Sequence, residues 1–334
     1  MIQTFQALVV SEEKNGDIHR EVRTRTLDDL PEGEVIIAVE YSSLNYKDAL
    51  SAAGNHGVTR RYPHTPGIDA VGRVFFSTVD EFSPGDQVLC MGYDLGMNTA
   101  GGFGGYISVP AAWVMLLPQG ISPLEAMQIG TAGFTAAQCI DRLCRLGLKK
   151  GDGPVLVTGA TGGVGSLAVR LLSFLEFEVT ALTGKPEQTA FLEEIGATHV
   201  MARKKLLRGR DKMLLRERWT GVVDTVGGEI LATAVKATRY GGMVTCCGNA
   251  ASGDLPLNVY PFILRGVTLA GIDSAICSMA QRKMIWEKLA SVWRFPGLEK
   301  VSRTVTLDGL EKEIVGMLQG KARGRIVVDL REER

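Results

Sequence analysis

The chain has 334 residues, 45% of them hydrophobic and 22% charged, the composition of a globular protein of about two domains and not of collagen, a coiled coil or a disordered chain. Lys plus Arg and Asp plus Glu each number 37, so the neutral chain has no net field to attract nucleic acid or an anionic membrane. The six cysteines (90, 139, 144, 246, 247 and 277) contain no C-x-x-C pair and read as reduced thiols in a cytoplasmic protein. The first residues lack a basic, then apolar leader. The longest uncharged stretch, Leu95 to Leu124, is too rich in glycine and proline to span a membrane as a helix.

In chain order, the first third reads as β structure. Strand signals run from Gly33 to Val39, Gly67 to Phe76 and Asp86 to Met91, the last after the turn dipeptide Pro84-Gly85. Short strands separated by Gly and Pro turns suggest a small barrel or sandwich. Ser122-Pro123-Leu124-Glu125 is a helix start, with an N-cap serine and proline at the first helical position. Beyond residue 150 strands and helices alternate. Val155–Thr158, Val179–Leu182, His199–Ala202, Gly221–Thr225 and Met243–Cys247 read as strands, with Val267–Ile272 as a candidate last one. Helices are expected at Gly163–Leu175 and Glu187–Ile195. Such βαβ alternation predicts a doubly wound parallel sheet. Strand character returns at Arg325–Leu330.

The most informative segment is Val155-Leu156-Val157-Thr158-Gly159-Ala160-Thr161-Gly162-Gly163-Val164-Gly165-Ser166. A strand enters a glycine-dense turn and an apolar helix leaves it. Glycines let the backbone approach a pyrophosphate, and the helix start offers free N–H groups and partial positive charge. Gly162 and Gly165 fit the G-x-G-x-x-G pattern, and Ala160 stands where its first glycine would be. The next strand ends in Thr183-Gly184-Lys185, without the acidic residue that binds the ribose hydroxyl of NAD. A hydroxyl and an ammonium attract a 2′-phosphate, and Arg203, after the third strand, is placed to flank it. The cofactor read from these residues is NADPH. The alternative reading of Lys185 is a solvated loop lysine.

These segments resemble the medium-chain dehydrogenase/reductase superfamily, in its zinc-free quinone oxidoreductase branch, and most of all its NADPH-dependent acrylyl-CoA reductases. The resemblance covers nearly the whole chain. It is carried by Ser43-Leu44-Asn45-Tyr46-Lys47-Asp48, Pro66-Gly67-Ile68-Asp69-Ala70-Val71-Gly72 and Ile129-Gly130-Thr131-Ala132-Gly133-Phe134-Thr135-Ala136. Thr158 to Gly165, Asp224-Thr225-Val226-Gly227 and Pro261-Phe262-Ile263-Leu264-Arg265 complete it. It implies an α/β fold of two domains: a GroES-like β-barrel from residues 1–122 and 268–334, and a Rossmann domain from 123–267. The cofactor is expected in the cleft, with its nicotinamide toward the barrel. Asn45 and Ile68 stand where zinc dehydrogenases of the superfamily carry ligands, so no metal is expected.

Hydride transfer without a Lewis acid needs an electrophilic acceptor, such as an enone, a quinone or an unsaturated thioester. Negative charge then builds on the carbonyl oxygen and requires a donor. The resemblance makes Tyr46 the candidate donor and a cofactor contact, with Asn45 as a second hydrogen-bonding group and Asp48 as a brace of the loop. It implies cofactor contacts at Thr131, Thr135, Thr161, Gly162, Gly163, Val164, Gly248, Asn249, Ile263, Ser274 and Arg325. Packing or turn formation is the alternative for several of these. Arg60 and Arg61 are candidate anchors for the phosphates of a CoA substrate. Three functions compete: an acrylyl-CoA reductase, a quinone or enone reductase, and a non-catalytic NADPH-binding protein. A homodimer paired near Val267–Ile272 is expected from the resemblance. Residues 203–218 hold eight basic and two acidic side chains. Interleaved leucines suggest an amphipathic helix with a solvated face rather than a nucleic-acid patch.

Overall fold

A computed structural model describes residues 3–333. The chain forms two compact units: residues 1–131 with 275–291 and 302–334, and residues 132–274 with 292–301.

In the first unit, β1 (Thr4–Glu12) and β2 (Ile18–Thr26) form an antiparallel hairpin. Sequence pattern missed this hairpin, because β2 carries charge on nearly every second residue and is mostly exposed. A seven-stranded sheet follows, built from β3 (Val35–Leu44), β4 (Asp69–Ser77), β5 (Gln87–Met91), β6 (Tyr106–Val109) and β7 (Val114–Leu116), and closed by two strands from the far end of the chain. The strand expected to stop at Val39 runs on to Leu44. Its second half pairs with the C-terminal strand, Ile326 facing Leu44, and that partner is invisible to local pattern. The short helix α1 (Tyr46–Ala52) leaves the end of β3. Leu8, Val10, Val39, Leu44, Val88, Ile107, Ile326 and Val328 belong to one buried core, which fixes that end of β3.

Helix α2 (Pro123–Arg145) starts where Pro123 predicts, and Gly130 interrupts it with non-helical dihedrals of φ 50° and ψ −161°. A side chain at Gly130 would meet Arg325 Nη2 at 2.5 Å and Asp69 Oδ2 at 2.7 Å, so only glycine fits.

The second unit is a six-stranded, all-parallel sheet of β8 (Val155–Val157), β9 (Val179–Thr183), β10 (His199–Ala202), β11 (Trp219–Asp224), β12 (Thr238–Cys246) and β13 (Thr268–Gly271). Their spatial order is β10-β9-β8-β11-β12-β13, the doubly wound arrangement in which strand order reverses between β8 and β11. The expected domain boundary at 267/268 would cut β13 off from this sheet. Its parallel pairing with β12 carries the unit on to Ser274. The other boundary falls inside α2, at Thr131 rather than at residue 122.

Helix α3 (Gly163–Phe174) follows β8, and α4 (Thr189–Glu194) follows β9 after a short 3₁₀ turn. The long amphipathic helix expected over 203–218 does not form. Helix α5 (Arg203–Leu206) is a single turn. Beyond it Gly209 takes φ 78°, and the Leu215 and Arg218 N–H groups donate to the carbonyls of Lys236 and Ala237 at 3.0 and 2.8 Å. Backbone bonding to a distant segment outweighs local helix propensity here. Helices α6 (Gly228–Lys236) and α7 (Tyr260–Arg265) follow, and a short helix at Leu298–Val301 also belongs to this unit; β14 (Ser302–Thr306) and β15 (Arg325–Asp329) return to the first. Among the described residues no helix is long and apolar enough to cross a membrane.

Candidate active site

In the second unit the glycine turn sits at the strand-order reversal. Thr158 and Asp224, at the C-terminal ends of β8 and β11, are both fully buried, and Thr158 Oγ1 donates to Asp224 Oδ1 at 2.7 Å. Asp224 Oδ2 also accepts from the Gly227 N–H at 2.8 Å, and Thr225 Oγ1 donates to the Thr158 carbonyl at 3.0 Å. Burial raises the Asp224 carboxyl pKa above its ordinary range, opposed by these donors. This clasp holds the turn rigid. A Cβ at Gly165 would collide with the Gly159 carbonyl oxygen, so helix and turn can pack this closely only through glycine. At the other glycine of the motif, a Cβ at Gly162 would meet the Gly159 carbonyl oxygen at 3.4 Å, an ordinary contact. Gly162 caps α3 and brings no side chain to its N-terminal amides. The first-turn N–H groups, those of Gly163 and Val164 included, lack intrahelical partners and suit a phosphate. Thr161 is buried beside them.

The ends of β9 and β10 lie side by side, with Thr183 facing Ala202 in register. This brings Thr183, Gly184, Lys185 and Arg203 together. Thr183 is buried, and its Oγ1 accepts from the Lys185 N–H at 2.9 Å. Arg203 lies against Gly184, where a Cβ would stand 2.5 Å from Nη2. No carboxylate stands among these four residues. Partial burial lowers the Lys185 pKa. Gly248 and Asn249 follow β12, and a Cβ at Gly248 would collide with the Thr225 carbonyl. Thr135 is buried on α2, Ile263 is exposed on α7, and Ser274 is half-buried.

In the first unit Tyr46 opens α1 with 52% of its surface exposed, while Asn45, Asp48 and Asp69 are buried. The Asn45 N–H donates to Asp48 Oδ2 at 2.7 Å, and Asp48 Oδ1 accepts from the Ile68 N–H at 2.8 Å. Asn45 Nδ2 donates to Asp69 Oδ2 at 2.8 Å, and its Oδ1 accepts from Arg325 Nη1 at 3.1 Å. Ser43 Oγ donates to Asp69 Oδ2 at 2.5 Å and accepts from Arg325 Nη2 at 2.7 Å. Thr131 donates to Asp69 through Oγ1 at 2.5 Å and through its N–H at 3.0 Å. Burial first, and the Asp69 charge second, push the Asp48 carboxyl up to about 7.

The sequence expectations change here for two residues. Arg325 is only 2% exposed and spends its donors on Ser43, Asn45 and nearby carbonyls, so it braces the interior and is not free to contact a ligand. Asn45 is likewise committed within the network and holds the loop under Tyr46. Pattern reading missed Asp69 as the hub of this network, because its partners come from β3, α2 and β15. Arg60 and Arg61 are exposed just before Tyr62, and the Arg60 N–H donates to Asn98 Oδ1 at 3.1 Å.

A GroES-like unit and a doubly wound parallel sheet with a glycine turn at its reversal define a dehydrogenase of the medium-chain type. Residues 31–119 match the alcohol dehydrogenase GroES-like domain, and residues 163–290 match the zinc-binding dehydrogenase family. The chain belongs to the medium-chain dehydrogenase/reductase superfamily. Within it, the chain is 43% identical to the acrylyl-CoA reductase AcuI of Ruegeria pomeroyi, over 98% of this chain and 99% of that protein. It is also similar to YhdH of Escherichia coli K-12, solved with bound NADPH, with a TM-score of 0.93 and 37% identity over 97% of this chain and 100% of that one. Against yhfP of Bacillus subtilis, solved with NAD bound, the TM-score is 0.95 and the identity 42%, over 98% and 100% of the two chains. The zinc in the family description does not fit the donors present. Asn45 offers an amide already bonded to Asp69 and Arg325, Ile68 is apolar, and the Asp69 carboxylate is surrounded by Ser43, Asn45, Thr131 and Arg325. Among the described residues no group of three or more His, Cys, Asp or Glu is placed to hold a metal.

Proposed function

We propose that this oxidoreductase reduces the carbon–carbon double bond of acrylyl-CoA to give propionyl-CoA, with NADPH as reductant and without a metal ion. The observation that carries this reading is Tyr46, an exposed phenol on a base locked by buried hydrogen bonds and free of metal-ligand chemistry. The likeness to an acrylyl-CoA reductase over nearly the full chain supports the choice of substrate.

When bound, NADPH supplies the hydride that adds to the β-carbon of the unsaturated thioester. The glycine turn at Gly162 and the N-terminal amides of α3 hold its diphosphate. Lys185 and Arg203 hold the 2′-phosphate, their two cations outnumbering the Glu187 carboxylate that acts on Lys185. The Tyr46 phenol donates a hydrogen bond to the thioester oxygen, where negative charge develops as hydride arrives. It is also the proton source for the α-carbon, so that a hydride and a proton together saturate the bond. Asp48, Asp69, Asn45 and Arg325 act through position, by fixing the loop that presents the phenol. Thr131, Thr135, Gly248, Asn249, Ile263 and Ser274 supply further cofactor contacts. Arg60 and Arg61 meet the phosphates of CoA.

NADPH oxidation by the purified protein tests this with acrylyl-CoA and benzoquinone as acceptors. Rapid turnover with acrylyl-CoA alone is the expected result. Turnover with benzoquinone alone replaces the substrate assignment, and NADPH binding without turnover on either removes the enzymatic one.

A further inference from the structure

The parallel sheet carries a second concavity, at the end opposite the glycine turn. A cavity of about 700 Å³ opens where β8, β9, β10 and β11 begin. Pro154, Glu178, His199 and Trp219 mark those four strand starts, and all line it. Ligands of doubly wound sheets ordinarily bind at the carboxyl ends of the strands, so the cofactor site does not account for this cavity.

Its walls have two characters. Met201, Leu206 and Trp219 form a buried apolar side. Lys205, Arg208, Arg216 and Arg218 supply four cations. Two carboxylates also line it: Glu217 pairs with Arg265 at 3.5 Å, and Glu178 lies 3.5 Å from His199, which carries charge only when protonated. Among the described residues no carboxylate pairs with any of the four cations. The Arg218 guanidinium lies 4.8 Å from the centre of the Trp219 ring, and the buried Trp219 Nε1 has no hydrogen-bond partner.

The basic segment is built into the fold. Lys236 Nζ donates to the Arg210 carbonyl at 2.7 Å, and Arg265 Nη2 donates to the Leu215 carbonyl at 2.6 Å. Together with the Leu215 and Arg218 backbone bonds, these hold four like charges around one opening. The four cations outnumber the two carboxylates of the lining, so a net positive charge remains that an anion offsets.

We propose that this cavity is a second ligand site, for a small phosphorylated molecule of mononucleotide size. The cations take the phosphates, and the apolar wall with Trp219 takes a flat ring. The volume lies within the range of roughly 300 to 1,000 Å³ common to small-molecule sites. The neutral chain and the concave shape favour a small anion over a nucleic-acid strand.

Calorimetric titration of the full-length protein, kept saturated with NADPH so that the glycine turn is filled, tests this with ADP, pyrophosphate and adenosine. ADP should bind saturably at one site, pyrophosphate more weakly, and adenosine weakest. Stronger binding of pyrophosphate than of ADP would identify a site for inorganic anions and overturn the role of the apolar wall. The double substitution Arg208→Ala/Arg216→Ala should weaken ADP by at least about tenfold, since charge-assisted contacts to phosphate are lost. NADPH affinity should stay constant in that variant. Absence of saturable ADP binding, equal ADP affinity in the double variant, or binding of a single-stranded oligonucleotide but not ADP would each overturn the proposal.

Discussion

Replacing Arg325 with methionine tests whether this arginine is a structural brace. The side chain is 2% exposed, Asp69 is fully buried, and Nη2 stands 3.7 Å from Oδ2. Methionine keeps most of the volume and removes the charge and every donor. Breaking a buried pair by deleting one partner destabilises by about 3–5 kcal/mol, because the remaining charge loses its counterion. Here Asp69 retains donors from Ser43, Asn45 and Thr131, so the loss should lie near the lower figure, about 3 kcal/mol. Asn45 Oδ1 and the carbonyls of Gln128 and Leu44 also lose a donor. Urea denaturation should show a lower midpoint with an unchanged slope. The double variant Asp69→Asn/Arg325→Met should recover part of the loss, which a double-mutant cycle measures. A loss below about 1 kcal/mol would refute the bracing role, since buried pairs are not that weak. Weakened NADPH binding at unchanged stability would instead restore Arg325 as a direct contact.

Three further outcomes are expected. Lys185→Ala should weaken NADPH by about tenfold in a binding titration and leave NADH nearly unaffected; an equal effect on both removes the 2′-phosphate role. Tyr46→Phe should lower turnover of acrylyl-CoA by about a hundredfold at constant NADPH affinity, and unchanged turnover would show that the phenol is not the proton source. Asp48 holds its proton up to about 7 in the folded protein, against 3.8 ordinarily. The stability it contributes is therefore complete below about pH 4 and is lost as pH rises toward 7, because the unfolded chain releases the proton first. Denaturant midpoints measured from pH 5 to 7 should fall less steeply for Asp48→Asn; an identical slope would show that Asp48 does not titrate there.

Local signals gave the six strands of the second unit and its helices α3 and α4, but not α6 or α7. Strand, glycine turn and helix at 155–175 are set by nearest neighbours in sequence: apolar runs, residues that allow close approach and a helix start. The grouping of Thr183, Gly184 and Lys185 with Arg203 was legible for the same reason, since the first three are contiguous and Arg203 directly follows the adjacent strand. The first unit was only half legible. The hairpin β1–β2 is local but hidden by the charged, exposed β2, while the second half of β3 and the network around Asp69 depend on residues far apart in the chain.

The basic segment shows the same limit from the other side. Its leucines have helical spacing, yet α5 ends at Leu206, because the carbonyls of Lys236 and Ala237 take the N–H groups of Leu215 and Arg218. By itself, then, the sequence determined the doubly wound class and the glycine turn, both properties of adjacent residues. Tertiary structure alone decided that Arg325 turns inward and that Asp69 gathers partners from three elements. It also decided that a cationic cavity forms at the amino ends of the strands. Burial and long-range pairing are properties of the folded chain, and no local pattern encodes them.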